Sequence, residues 1–210
     1  MIEKYFSIEK ETTNTIVIER SKFITYILPI SSEEEASEYL SKIKKEHSLA
    51  THWCYAFILG ENCLNQKFSD DGEPSGTAGL PILEALKHKN LTNVICVVVR
   101  YFGGVKLGTG GLVRAYSGSV NSCLNVSKIL CYNYSNVFNL EISYDFYSKV
   151  IKIIDEIGAK TLLCEFLNQI NVQIAVKNSC TKRFINLINE SFNGKLSPKK
   201  VSENYYPFKE

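Results

Sequence analysis

The stretch Val94-Ile95-Cys96-Val97-Val98-Val99-Arg100-Tyr101-Phe102-Gly103-Gly104-Val105-Lys106-Leu107-Gly108-Thr109-Gly110-Gly111-Leu112-Val113 carries the reading of the fold. Five of its first six side chains are β-branched, the composition of a buried strand. The turn Gly103 to Gly111 then leads into a helix predicted over Leu112 to Val126. Glycine weakens helices and strands alike. Nine of the twelve glycines lie between Gly72 and Gly118, which implies positive φ angles or close approach to the backbone there. The strand-to-helix turn offers backbone amides, Thr109 and the helix dipole to an anion such as phosphate. Structural tightness is an equal alternative. A P-loop does not fit, because Thr109 follows Gly108 directly, without the intervening lysine.

Upstream, Phe23 to Ile30 reads as a strand, and Ser31 and Ser32 offer an N-cap ahead of three glutamates. Ala36, Tyr39, Leu40 and Ile43 continue that helix to about His47. Thr51 to Leu59 is apolar on both faces and predicts a strand covered on both sides. Asn62 to Gly76 reads as loop, followed by a helix from Thr77 to Lys89.

Downstream, Lys128 to Tyr134 is extended and the pattern then changes. Strands are expected at Val137–Ser143, Lys160–Leu167, Ile170–Val176 and Leu196–Val201. Helices are expected at Asp145–Ile157, closed by Gly158, and from a Ser179 cap to Phe192. That order, β-α-β-β-α-β, is the ferredoxin-like arrangement. The expected architecture is therefore two-domain α+β, with domains 1–135 and 136–210.

The 210 residues, 45% apolar and 22% charged, exclude disorder, collagen and long coiled coil. The first ten residues carry Glu3, Lys4, Glu9 and Lys10 and lack the apolar core of a secretory signal. No run of eighteen apolar residues exists to span a membrane. The seven cysteines include no C-x-x-C pair and read as buried small hydrophobes in a reducing cytosol. The expected location is the cytoplasm.

The second informative segment is the acidic turn Asp70-Asp71-Gly72-Glu73-Pro74-Ser75-Gly76. Its carboxylates suit metal binding, ordinary turn chemistry, or ion pairs with Arg100, Lys106 or Arg114; the ion pair is the favoured reading for any single one. Ser75 stands one position late for a nucleophile elbow, and His47, His52 and His88 form no H-E-x-x-H pair. No catalytic residue, metal ligand or cofactor is assigned.

Together, Ser69-Asp70-Asp71-Gly72-Glu73-Pro74-Ser75-Gly76-Thr77-Ala78-Gly79, Val97 to Gly104 and Leu107 to Val113 closely resemble the signature of the YigZ/IMPACT family. Ser21-Lys22-Phe23-Ile24 resembles that family's opening strand. The resemblance covers roughly the first 130 residues. It implies an N-terminal domain similar to the second domain of a small-subunit ribosomal protein. It also implies a ferredoxin-like C-terminal domain similar to one in elongation factor G. Eukaryotic relatives regulate translation and carry a further N-terminal recognition domain; the expectation here is that this chain starts directly at the shared domain.

The formal net charge of +2 hides an uneven distribution. Residues 1–84 are net −6. Residues 85–140 hold Lys87, Lys89, Arg100, Lys106, Arg114 and Lys128 and no acid, and residues 141–210 are net +2. An acid-free stretch overlapping the glycine-rich turn fits a phosphate-backbone surface, with Tyr101, Phe102 and Tyr116 available for stacking if exposed. The expected partner is RNA or the ribosome, with a protein partner in translation control and no membrane. The expected anion-binding residues are Arg100, Gly103, Gly104, Lys106, Gly108, Thr109, Gly110, Gly111 and Arg114, beside the signature acidic loop Asp70, Asp71, Gly72 and Glu73. Two alternatives stand: an enzyme of small phosphorylated or carboxylated substrates at the same site, and a pure protein-interaction module working through the C-terminal domain.

Overall fold

A computed structural model describes residues 2–208. Ten strands and five α-helices occur among them, in a mixed fold with two sheets. The chain divides into two compact units, residues 5–130 and residues 2–4 with 131 onward. The division falls five residues before the expected boundary. The reason is a single continuous strand, Ile129–Ile142, where sequence patterning suggests two extended pieces.

Strand β1 (Lys4–Ile8) starts at the boundary between the units; its Ile8 enters the core of the first unit, where Thr92 N–H donates to Phe6 O. Strands β2 (Thr12–Ile18), β3 (Ser21–Pro29), β4 (His52–Leu59), β5 (Asn65–Ser69) and β6 (Val94–Tyr101) form an antiparallel sheet in the order β2-β3-β6-β4-β5. Helices α2 (Gly79–His88) and α3 (Gly108–Leu124) cover one face, where Ile82, Leu86, Tyr116 and Val120 meet Phe23, Cys54, Cys96 and Val98. Helix α1 (Glu33–Glu46) covers the other, setting Ala36, Tyr39 and Ile43 on Tyr26, Phe57, Val97 and Val99. The continuous apolar character of β4 and β6 follows from this double cover. Ser32 caps α1 as expected, accepting from Glu35 N–H.

In the second unit, β7 (Ile129–Ile142), α4 (Tyr144–Ile157), β8 (Lys160–Phe166), β9 (Ile170–Lys177), α5 (Thr181–Ser191) and β10 (Lys199–Phe208) follow in chain order. The strands lie as β10-β7-β9-β8, all antiparallel. That is the split β-α-β arrangement read from the sequence. One face of this sheet packs on both helices through Leu140, Val150, Ile154, Val172, Ile174, Phe184 and Ile188. Gly158 ends α4 in the left-handed conformation, at φ 65°.

Several local expectations are corrected. The Asn62–Gly76 loop contains β5, a polar edge strand with no periodic apolar signal. The strands β1 and β2 precede the first one anticipated. The helix expected from Leu112 begins at Gly108, because Leu112, Ala115 and Tyr116 bury against the sheet and carry the preceding glycines into the first turn. A 3₁₀ turn over Asn178–Cys180 replaces the Ser179 cap, and the last strand is later and longer than Leu196–Val201.

Candidate functional site

The acidic turn and the glycine-rich turn both belong to the first unit. In the acidic turn each carboxylate is committed. Asp70 Oδ1 accepts from Ala78 N–H and Gly79 N–H at 3.0 and 2.8 Å, and its Oδ2 accepts from Gly76 N–H at 2.9 Å. These amides lie at or just before the start of α2, so Asp70 satisfies and charge-neutralises that helix end from the turn that leads into it. Burial works to raise the Asp70 pKa, but the N–H groups of Gly76, Gly79 and Ala78 outweigh it and leave the carboxyl below its ordinary value. The fit needs Gly79 to be glycine: a Cβ there would stand 2.7 Å from the Ser69 carbonyl carbon.

Asp71 pairs with Lys44 at 3.1 Å and accepts from Trp53 N–H at 2.8 Å. Its carbonyl accepts from His52 Nδ1 at 2.8 Å, which fixes the proton on that nitrogen. His52 Nε2 then faces Glu73 Oε1 at 3.9 Å.

Glu73 is buried, and Oε1 accepts from Arg100 Nη1 at 2.6 Å and from Tyr116 Oη at 2.8 Å. Arg100 Nη2 donates to Ser21 Oγ, and the guanidinium lies 5.4 Å from the rings of Phe23 and Phe102. The ion pair favoured from the sequence is therefore present. It also removes Arg100 from the anion-binding set, since only 4% of the residue meets solvent. Tyr116 is fully buried and cannot stack on a base. Cys54 Sγ lies 3.3 Å from Tyr116 Oη, and burial pushes its thiol up to about 12, the range of an inert cysteine. Each of the three carboxylates of the turn is thus held by hydrogen bonds or an ion pair within the first unit.

The glycine-rich turn divides into a buried and an exposed part. Gly103 N–H donates to Ser21 Oγ, and a Cβ on Gly103 would stand 2.1 Å from the Arg20 carbonyl carbon. Gly103 is thus a packing glycine, and its amide is not offered to an anion. From Gly104 outward the character changes. Gly104, Lys106, Gly108, Thr109, Gly110 and Arg114 are exposed, and Gly111 is half-buried. The first turn of α3 has no acidic residue, and its N-cap, Leu107, makes no side-chain capping bond. Helix α2 receives a carboxylate at its start; among the described residues α3 receives none.

The acid-free segment resolves in the same way. Arg100, Lys87 and Lys128 pair with Glu73, Glu84 and Glu9, all acids from the first 84 residues. Among the described residues, Lys89, Lys106 and Arg114 form no ion pair. Phe102 remains 46% exposed and Tyr101 half-buried, its hydroxyl bonded to His47 Nδ1 at 2.9 Å. Ser21 and His52 are also members of the cluster, though the sequence marks Ser21 only as part of an opening strand and His52 only as a histidine without an H-E-x-x-H partner.

Fold and site define a two-domain α+β protein whose glycine-rich signature closes around a buried Glu–Arg pair and leaves one helix start open to solvent. The chain belongs to the IMPACT family: the Impact N-terminal domain model matches residues 19–124. It is 40% identical over 207 residues to IMPACT family member YvyE of Bacillus subtilis, covering 98% of this chain and 94% of that one. It is 45% identical over 109 residues to IMPACT family member YigZ of Escherichia coli, covering 51% of this chain and 53% of that one. A solved structure described as a hypothetical protein superposes with a TM-score of 0.63 at 28% identity, over 97% of this chain and 100% of that one.

Proposed function

We propose that this protein is a translation-related regulator whose first unit contacts the phosphate backbone of RNA, free or within the ribosome, through the start of α3. Membership of the IMPACT family supports the translation-related part. The observation that carries the binding part is the bare first turn of a 17-residue helix flanked by Lys106 and Arg114, neither of them in an ion pair among the described residues. Helix N-termini attract phosphate through unsatisfied amides and the dipole. Thr109 adds an exposed hydroxyl donor. Arg100 and Glu73 serve this surface from within, by holding β6 and the glycine-rich turn against the acidic loop. Such a role belongs to the cytoplasm; no helix among the described residues is long and apolar enough to cross a membrane.

Co-sedimentation with ribosomes between about 50 and 200 mM salt tests the reading. Binding is expected to weaken steeply with salt, and the double variant Lys106→Ala/Arg114→Ala to lower the slope of log K against log salt by about two. Pelleting by that variant equal to wild type would discard the surface.

A further inference from the structure

Strand β8 lies at an edge of the second unit's sheet, and among the described residues it pairs with β9 alone. Large apolar side chains gather beside it: Leu163 is 49% exposed, Phe166 56%, Leu167 68% and Tyr144 56%. Tyr144, Phe166 and Leu167 form one patch on the helix side, for Tyr144 Oη donates to Leu167 O and the Tyr144 ring stands 6.4 Å from that of Phe166, while Leu163 is exposed on the other face. An unpaired strand edge beside such a patch is an association surface unless it is defended.

The register of β8 identifies what fits it. Thr161, Cys164 and Phe166 stand opposite Ile174, Val172 and Ile170 and so face α4 and α5; Lys160, Leu163 and Glu165 share the other face. Lys160 and Glu165 are five apart and would lie on opposite faces of a regular strand. The bulge between Thr161 and Leu163 brings them onto the same one. Two copies of β8 paired antiparallel, with the two-fold axis between Leu162 and Leu163, then set Lys160 opposite Glu165 twice. Thr161 meets Cys164, and the bulky Phe166 meets the small Ala159. In that register the Lys160–Glu165 and Thr161–Cys164 pairs have matching faces. Among the described residues neither Lys160 nor Glu165 forms an ion pair, and Lys160 Nζ makes only a 3.4 Å contact with Pro207 O.

We propose that a second copy of this chain docks on the β8 edge, giving a two-fold dimer whose register is set by the Lys160–Glu165 pairs. Opposite charges across paired strands stabilise and like charges directly opposite destabilise, and the symmetry doubles each effect.

Light scattering during size-exclusion chromatography, run on the full chain across a wide range of concentration, reads the outcome. The mass is expected to rise from that of one chain, 23.7 kDa, toward twice that value. Lys160→Glu alone and Glu165→Lys alone each oppose like charges and are expected to hold the protein at single-chain mass. The double variant Lys160→Glu/Glu165→Lys exchanges the partners and is expected to restore the dimer, which separates lost pairing from lost folding. A wild type that stays at single-chain mass throughout, single variants that dimerise like wild type, or a double variant that fails to recover each overturns the proposal. Ribosome binding through α3 is read by sedimentation and stands or falls separately.

Discussion

Glu73 Oε1 and Arg100 Nη1 meet at 2.6 Å with 4% and 5% of their side chains exposed, so the ion pair at the centre of the family signature is an interior one. Removing one partner strands the other charge out of water. Glu73→Ala and Arg100→Ala are each expected to cost about 3–5 kcal/mol in urea unfolding. Replacing both is expected to cost clearly less than the sum, because the surviving charge is then gone as well. Additive losses would show that the two side chains act independently.

Asp70 makes the stability of α2's start depend on pH. Its folded pKa lies below the ordinary value, so its contribution is fully present above the unfolded pKa of about 3.9 and is lost as pH falls through the folded value. Asp70→Asn keeps the shape but turns an amide toward the N–H of Gly76 or toward those of Ala78 and Gly79. The variant is expected to be less stable at pH 7 by about 1–3 kcal/mol, and the gap to wild type is expected to close in acid. A gap that stays constant down to pH 2 would remove the carboxylate's charge from the account.

Burial of Cys54 gives a chemical prediction. With its thiol at about 12, very little thiolate exists at pH 8. Alkylation of the native protein followed by peptide mass analysis is expected to mark half-buried Cys63, Cys164 and Cys180 well before Cys54. Denaturant is expected to abolish the difference. Early labelling of Cys54 in the native state would mean that the Tyr116–Glu73 cluster opens readily.

How much of this was legible in the sequence depends on whether the partners are local. Val94 to Val99 could be read as a buried strand because its side chains alone demand cover on both faces. Strand β5, Asn65–Ser69, is an edge strand of polar residues held by pairing with β4, and no periodicity marks it. The charge map located an acid-free block correctly, yet it could not show that Lys128 reaches Glu9 or that Arg100 reaches Glu73, contacts made across 119 and 27 positions of chain. Counting left six candidate bases; folding left Lys89, Lys106 and Arg114. The glycine-rich turn likewise read as one unit. Steric surroundings divide it, with Gly103 pressed on Arg20 and Gly110 in open space.

That division separates stability from binding in one last experiment. The first turn of α3 has neither an acid nor a capping side chain, an arrangement that leaves helix stability unclaimed. Thr109→Asp supplies the missing negative charge at an exposed position in that turn. If the bare turn is kept open for phosphate, the substitution is expected to act with opposite signs in two assays. Unfolding free energy should rise by about 0.3–1 kcal/mol through the helix dipole. Ribosome or RNA binding at low salt should fall, because the new carboxylate occupies the amides and repels the backbone. A loss of binding accompanied by a loss of stability would point to simple damage instead. Unchanged binding with higher stability would show that the start of α3 is not where the anion sits.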